Sequence, residues 1–174
     1  MSEESVAASD LLALYDRALP QVYGYLRARC DTRSAAEDLT AETFLAAVGA
    51  TRGAGCPSID VAWLIGGARH KLVDHWRRKE RELRGLRLVA FEPDPVEDDP
   101  WDAQLDALRA REVLGTLGPH HRAVLTLRYL DDLPVAEVAD LMGRSLHATE
   151  ALLVRARTAF RRAYTETGEE SDRD

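Results

Sequence analysis

The sequence has few of the residues on which disulfides, metal sites and catalytic centres depend. It has only two cysteines in 174 residues, Cys30 and Cys56, and they form no CxxC motif. We therefore expect reduced thiols and no disulfide framework. The five histidines form no HExxH or comparable ligand set, so we predict neither a metal nor another cofactor. Because no motif supplies a nucleophile with its base or a glycine-rich phosphate loop, we do not expect an enzyme.

Long apolar runs are also missing. No stretch approaches the roughly 18 apolar residues that a transmembrane helix needs. The first ten residues are acidic and polar, whereas a signal peptide has a basic start and an apolar centre. We therefore predict a cytoplasmic protein without membrane insertion. No segment alternates apolar and polar residues with a period of two for long, and this favours an all-α protein.

The acidity of the chain is concentrated in three segments. Residues 1–10, 92–102 and 166–174 carry charges of −3, −6 and −4, which leaves +6 for the rest of a chain whose net charge is −7. The parts that we expect to fold are therefore basic. The negative net charge consequently gives no argument against a nucleic-acid partner.

Helical spacing runs through the first half of the chain. Pro20 predicts a kink or break in the first helix. Ser34 and Glu37 form a capping-box pattern at the start of the second, and Ser58 is a suitable N-cap for the third. The apolar residues spaced at threes and fours are Leu11, Leu14, Tyr15, Val22, Tyr25 and Leu26 in the first helix and Leu39, Phe44, Leu45 and Val48 on the buried side of the second.

A stretch rich in proline and acid separates two helical patterns. Val89–Trp101 contains three prolines and five acids. Proline removes a backbone donor, and the acids repel one another, so helix is disfavoured there. We predict a flexible acidic linker at 88–102 between two small helical domains at 10–87 and 103–165, followed by an acidic tail at 166–174.

The densest positive charge lies on the third predicted helix. Arg69–Arg87 holds eight Lys/Arg and three Asp/Glu, and Trp63 and Trp76 belong to the same helix. A basic groove with aromatic residues suits single-stranded nucleic acid, because phosphates pair with cations and bases stack on rings. Two alternatives stay open: the charges only solvate the helix, and the tryptophans only pack in the core.

Proline and glycine residues mark the helix boundaries of the second domain. The spacing of Leu105, Leu108, Val113 and Leu114 predicts its first helix. Gly118-Pro119 predicts the start of the next, because proline fits the first helical turn. Leu133-Pro134 then precedes a third helix.

The second domain ends in a helix-turn-helix pattern, VAEVADLMGRSLHATEALLVRAR. Gly143 is expected to end the first helix of the pair and Ser145 to cap the second. The outward face of the second helix would then fit a DNA major groove, and its arginines suit phosphate contact. An ordinary helical hairpin in a bundle is the alternative. The side chains expected to point inward are Val135, Val138, Leu141, Leu146, Thr149, Leu153, Ala156 and Phe160.

These patterns together resemble the extracytoplasmic-function (ECF) sigma factors of the sigma-70 family, bacterial transcription initiation factors that contain only sigma regions two and four. AEDLTAETFLAAV is similar to the region-two helix that docks on the clamp helices of the RNA polymerase β′ subunit. WLIGGARHKLVDHWRR resembles the following helix, which reads and opens the −10 element. LGPHHRAVLTLRYLDDLPVAEVADLMGRS resembles region four, which reads the −35 duplex. The resemblance covers about Leu11 to Tyr164.

The resemblance implies partners and assigns roles by position. The implied partners are core RNA polymerase, through its β′ clamp helices and β subunit, promoter DNA and an anti-sigma factor. The residues expected to bind polymerase are Asp38, Leu39, Glu42, Thr43 and Phe44. Those expected at the −10 element are Ser58, Ile59, Asp60, Trp63, Arg69, His70, Lys71, Arg77 and Arg78, of which the first three belong to a loop that captures a flipped base in the family. Those expected at the −35 element are Arg144, Ser145, His147, Ala148, Glu150, Ala151 and Arg155.

The sequence departs from the family's habit at four positions. Gln is usual where Ala41 stands, and Asn where His70 stands. The recognition helix usually carries basic residues where Glu150 and Leu152 stand, so we expect an unusual −35 sequence. A competing hypothesis is a stand-alone helix-turn-helix regulator that binds DNA without polymerase; the docking pattern Asp38–Phe44 argues against it.

Overall fold

The structure, a computed structural model, describes residues 3–51, 58–86 and 107–171. Within these ranges the regular secondary structure is helical throughout, which confirms the all-α prediction. The chain forms two compact units, Met1–Asp74 and His75–Asp174. The predicted linker at 88–102 and Leu105 lie outside the described residues. The helices are α1 (Glu3–Arg27), α2 (Arg33–Thr51), α3 (Val61–Leu86), α4 (Ala107–Thr116), α5 (Pro119–Leu125), α6 (Val135–Met142) and α7 (Leu146–Ser171).

The first unit is built on the packing of α1 against α2. Helix α1 continues through Pro20, so the predicted break is wrong. Pro20 is exposed, so water can reach the backbone beside the missing hydrogen bond, and this lowers the cost of the proline. The α3 residues of this unit join the same core, where Gly67 faces the methyl group of Thr43. The buried apolar side chains of the unit are Leu14, Ala18, Val22, Leu26, Cys30, Ala36, Leu39, Ala47, Leu64, Ala68, Leu72 and Val73.

The helix starts of the first unit differ from the predicted ones by two residues. Thr32 caps α2, because its Oγ1 accepts a hydrogen bond of 3.2 Å from the amide of Ala35. Asp60 caps α3 through a 2.8 Å bond from the amide of Trp63. The expected capping roles of Ser34 and Ser58 are therefore wrong. In each case the competing oxygen lies three residues before the amide that it accepts, which is the spacing that a cap requires.

Side-chain exposure corrects one position on α2. Leu45, expected on the buried side, is 69% exposed. The buried positions of this helix, Ala36, Leu39, Thr40, Thr43 and Ala47, form one stripe at helical spacing. A residue two positions after Thr43 is rotated by about 200° from it, so Leu45 falls on the opposite face.

The second unit is organised around α7, which contacts α4, α5 and α6. Pro119 occupies the first turn of α5, as predicted. Helix α5 continues into a π-helical turn, Thr126–Leu130, in which the amide of Asp131 bonds to the carbonyl of Thr126 at 3.0 Å. Leu108, which helped to predict α4, is 72% exposed. The buried apolar side chains of the unit include Val113, Val124, Leu125, Leu127, Val138, Met142, Leu152, Leu153, Ala156 and Phe160, together with Trp76 from the second half of α3.

Candidate nucleic-acid interface

The second unit contains the predicted helix-turn-helix. Helix α6 ends at Gly143, whose φ of 60° lies in the left-handed region. Glycine adopts this conformation without the steric cost that a Cβ adds. The hydroxyl of Ser145 then accepts a 3.2 Å bond from the amide of Ala148 and starts α7. The three residues between α6 and α7 therefore fix the entry of the second helix, and both caps are confirmed.

The buried face of α7 anchors the second helix of the pair. Thr149 is fully buried, and its hydroxyl donates to the carbonyl of Ser145 at 3.0 Å. Leu153 and Phe160 are buried on the same side, as predicted. Leu152 is also buried. It stands where the family usually has a basic residue, so it adds to the core instead of to a charged surface.

The opposite face of α7 is open to solvent at its first turns. His147 and Glu150 are exposed, and Ala148 and Ala151 are half-buried. Leu146 was expected to point inward, but it is 50% exposed. Leu146 lies on the same helical stripe as Thr149 and Leu153, three and seven residues further on. It is the first residue of α7, so burial of the stripe begins only at Thr149. The face that could meet DNA is therefore acidic and apolar at its N-terminal end.

Positive charge surrounds this exposed face. Arg144 and Arg155 are half-buried beside it.

Burial lowers the pKa of His121, and the neighbouring Arg155 lowers it further. Burial also lowers the pKa of His120, against the opposing effect of the Glu80 carboxylate 3.9 Å away. Arg144 and Arg84 act on His120 in the same direction as burial.

Helix α3 carries the predicted −10 residues in two settings. In the first unit, Arg69 is half-buried, His70 is exposed, and Lys71 pairs with Glu42 at 3.5 Å. In the second unit, Arg78 is exposed, whereas the guanidinium of Arg77 donates a 2.6 Å hydrogen bond to the carbonyl of Leu141. Arg77 therefore has a structural contact at the end of α6, and Arg78 does not share it.

The aromatic residues of α3 are not equivalent. Trp76 is 2% exposed, so it packs in the core and cannot stack on a base. Trp63 is half-buried in the first turn of α3. Just before it, Ser58 is exposed, Ile59 is half-buried, and Asp60 caps the helix. The remainder of the predicted capture loop, residues 52–57, lies outside the described residues.

Helix α2 presents only part of the predicted docking set. Asp38 is exposed, and Glu42 is half-buried. Phe44 is half-buried, and its ring lies edge-on to the ring of Tyr15, with 4.7 Å between centroids. Leu39 and Thr43 are 3% and 1% exposed. Their side chains belong to the core of the first unit, so they are not part of the exposed surface of α2.

A groove between α1 and α2 escaped the sequence analysis. It has a volume of about 670 Å³ and continues the exposed face of α2. Tyr15, Leu19 and Tyr23 recur every four residues on α1, a spacing that places them on one face and could have revealed the groove. Its lining residues are Tyr15, Asp16, Leu19, Pro20, Tyr23, Arg33, Glu37, Thr40, Ala41 and Phe44.

A smaller apolar cavity of about 260 Å³ lies in the second unit. It is lined by residues of α4, α5, α7 and the π-helical turn, among them Leu114, Tyr129, Leu130 and Phe160. Tyr129 and Leu130 are 45% and 41% exposed. The π-helical turn that presents these two side chains has no signal in the sequence pattern, so sequence reasoning missed the cavity.

Within residues 3–51, 58–86 and 107–171, no group of three or more His, Cys, Asp or Glu side chains is placed to hold a metal ion. No helix in the same ranges is long and apolar enough to cross a membrane.

Comparison with known proteins identifies both halves of the chain. Residues 14–82 match the family model of sigma-70 region 2, and residues 107–160 match that of sigma-70 region 4. The ECF RNA polymerase sigma factor SigC of Mycobacterium tuberculosis is 32% identical over 130 residues, which cover 72% of this chain and 68% of SigC. The chain belongs to the ECF sigma factors of the sigma-70 family.

Two further comparisons bear on length and fold. The ECF RNA polymerase sigma factor BldN of Streptomyces coelicolor is 34% identical over 147 residues. The matched part covers 82% of this chain but only 56% of BldN, so the chain spans little more than half of that relative's length. The sigma factor RpoE of Bartonella quintana, solved in complex with the anti-sigma factor NepR, superposes with a TM-score of 0.54 at 19% identity, covering 90% of this chain and 97% of RpoE. This likeness supports the fold.

Proposed function

We propose that this protein is an alternative transcription initiation factor that binds core RNA polymerase and directs it to specific promoters. The observation that carries the proposal is the presence of sigma regions 2 and 4 in one chain and in that order. A stand-alone helix-turn-helix regulator has no need of region 2. The relatives SigC and BldN are named as RNA polymerase sigma factors.

Region 4 supplies the −35 contact in this proposal. The Gly143 turn and the Ser145 cap hold α7 with its inner face buried. The first turns of α7 enter the major groove, where the N-terminal residues of a recognition helix meet base edges. His147 and Glu150 are exposed there and can reach bases. Arg144 and Arg155 flank the helix and suit contact with phosphates, which sets the position of the helix on the duplex.

Region 2 supplies the −10 contact. The first half of α3 carries His70 on its exposed surface, and Arg78 is exposed further along. Arg69 and Lys71 lie at the half-buried edge of the same helix. Phosphates of the opened strand pair with these cations. Trp63 is the aromatic residue on α3 that keeps enough exposure to stack on a base, since Trp76 is buried.

Docking on polymerase falls to the exposed part of α2. Asp38 offers a carboxylate, and Phe44 with Tyr15 offers an apolar edge beside the α1–α2 groove. An acidic group and an aromatic group on the exposed part of one helix suit a partner surface that combines a cation with apolar side chains. We propose that this face binds the β′ clamp helices. We also propose a contact with the β subunit, to which we assign no particular residues.

The proposal includes the organisation and setting of the protein. We divide the chain into region 2 at 10–87, an acidic linker at 88–102, region 4 at 103–165 and an acidic tail at 166–174. Because the proposed function is exercised on promoters together with core polymerase, we assign the protein to the cytoplasm. We assign it no catalytic step of its own. The structure of RpoE was solved with a bound anti-sigma factor. We propose that this protein also binds an anti-sigma factor.

Transcription with purified components tests the proposal. The full chain is mixed with core polymerase and a library of promoter fragments, and run-off transcripts are sequenced. We expect a defined set of start sites that requires both proteins. Binding of the chain alone to a duplex, with no gain from polymerase in affinity or in transcripts, would instead establish the stand-alone regulator.

A further inference from the structure

Leu146 is the exposed apolar residue of the recognition helix. It is the first residue of α7 and is 50% exposed, although single exposed leucines are common on protein surfaces. Its location gives it significance: it directly follows the cap Ser145 and precedes the exposed His147. In a helix-turn-helix, the N-terminal residues of the second helix approach the base edges most closely.

The composition of this surface restricts what it can read. The exposed side chains in the first two turns of α7 are Leu146, His147 and Glu150, and none is the Arg or Lys that reads guanine by paired hydrogen bonds. An apolar side chain in the major groove has one specific partner, the 5-methyl group of thymine. A carboxylate has a different one, the amino group of cytosine.

We propose that Leu146 contacts the 5-methyl group of a thymine in the −35 duplex and so sets a base preference of this sigma factor. The proposal rests on the −35 role of region 4 given above. Leu146 and Glu150 are four residues apart, so their Cβ atoms lie about 5–6 Å from each other. Base pairs are stacked about 3.4 Å apart. The thymine therefore lies within about two base pairs of any base that Glu150 reads.

Replacing thymine by deoxyuridine tests the contact, because it removes only the methyl group. The polymerase complex of the full chain is first used to select −35 sequences from a randomised promoter pool. Each thymine of the selected −35 segment is then replaced in turn. We expect one replacement to weaken wild-type binding about fourfold, the effect of about one buried methyl group. Leu146→Ala should bind the thymine and deoxyuridine promoters equally.

Two variants control for indirect effects. Leu146→Met keeps an apolar side chain of similar reach and should retain a preference for thymine. Leu108→Ala truncates a leucine on α4 that is 72% exposed, and it should keep the fourfold difference. Circular dichroism establishes that Leu146→Ala keeps the helical content of the wild type.

The outcomes separate this inference from the proposed function. Enrichment of a −35 sequence with no methyl-sensitive thymine overturns the role of Leu146 and leaves the sigma-factor function standing. A methyl effect that survives in Leu146→Ala overturns the role as well, because another residue then makes the contact. If the complex enriches no −35 sequence at all, the proposed function fails and the inference falls with it.

Discussion

Asp38 is exposed on α2, whereas two of its neighbours in the predicted docking set, Leu39 and Thr43, are buried. A charge reversal at Asp38 therefore tests docking without disturbing the core. We expect Asp38→Arg to weaken binding to core polymerase about tenfold or more, because it would set like charges against each other at the interface. Titration of labelled polymerase measures the affinity.

A control in the same unit separates docking from a general effect of charge. Gln21 is exposed on α1 and does not line the α1–α2 groove. Gln21→Arg adds a positive charge there and should leave polymerase affinity unchanged. Wild-type affinity in a folded Asp38→Arg protein would remove α2 from the docking surface.

Glu150 is the second residue whose role a single substitution can decide. It is exposed one turn into α7, where a carboxylate can accept from a cytosine amino group at a gain of about 1–3 kcal/mol over other bases. Glu150→Gln keeps the shape and removes the charge. We expect nonspecific affinity to rise slightly and the preference at one −35 base pair to relax. Selection from randomised −35 sequences measures both, and identical preferences at every position would mean that Glu150 reads no base.

At the scale of single elements, the turn between α6 and α7 depends on Gly143. Its φ of 60° is unfavourable for residues with a Cβ, and an added Cβ would lie 2.9 Å from Nη2 of Arg77. We expect Gly143→Ala to lower the free energy of unfolding by about 1–3 kcal/mol. Urea denaturation followed by circular dichroism measures the change.

Gly115 provides the matched control. It lies within α4, and an added Cβ would meet nothing within 4 Å. Gly115→Ala should therefore raise stability by about 0.4–1 kcal/mol, because alanine has less conformational freedom than glycine in the unfolded chain. Equal effects of the two substitutions would show that the left-handed turn imposes no special requirement.

Helix α3 offers a comparison between two adjacent arginines. Arg78 is exposed, whereas Arg77 bonds to the carbonyl of Leu141. We expect Arg78→Ala to reduce promoter opening and to lower the salt-dependence slope by about 0.7, the value for one lost contact with single-stranded DNA, with unchanged stability. Arg77→Ala should also lower the stability of the second unit. Permanganate footprinting at several salt concentrations measures opening, and a wild-type slope for Arg78→Ala would make α3 a merely solvated face.

At the scale of the whole molecule, two partly buried histidines make stability depend on pH. Burial holds the pKa of His120 and His121 below the ordinary value of 6.5. Below pH 6.5 the unfolded chain therefore takes up protons that the folded chain does not. The stabilisation that depends on His120 and His121 being neutral in the folded chain is complete above about pH 6.5. It is lost as the pH falls through their lowered folded pKa. The charges that face these rings are Glu80, Arg84, Arg144 and Arg155.

Thermal unfolding between pH 7.5 and 5 checks this expectation. We expect the midpoint to fall with pH in the wild type, and to fall less when His120 and His121 are both replaced by Gln. His147 is exposed, and His147→Gln should follow the wild-type curve. An unaltered pH dependence in the double variant would assign the effect to carboxylates elsewhere.

The sequence by itself determined the helical class, the order of the two sigma regions and several helix ends. Pro119, Gly143 and Ser145 act on their own backbone neighbourhood, so their effects follow from residue type and position alone. The partition of charge into acidic segments and basic remainder is likewise a property of the chain. The caps at Thr32 and Asp60 were local too, but several polar residues competed within two positions, and only geometry selected among them.

The tertiary structure decided which side chain of each helix faces inward. Each residue turns a helix by about 100°, so the identity of the buried face depends on the packing partners and not on hydrophobicity alone. This is why Leu45 proved exposed, and why Leu152 and Thr43 proved buried. Leu146 proved exposed because it begins α7, where no partner covers the inward stripe. The α1–α2 groove exists only because two helices distant in sequence pack together. The proposed docking face and the proposed base-reading face are surfaces of packed helices, so packing decides which side chains belong to them.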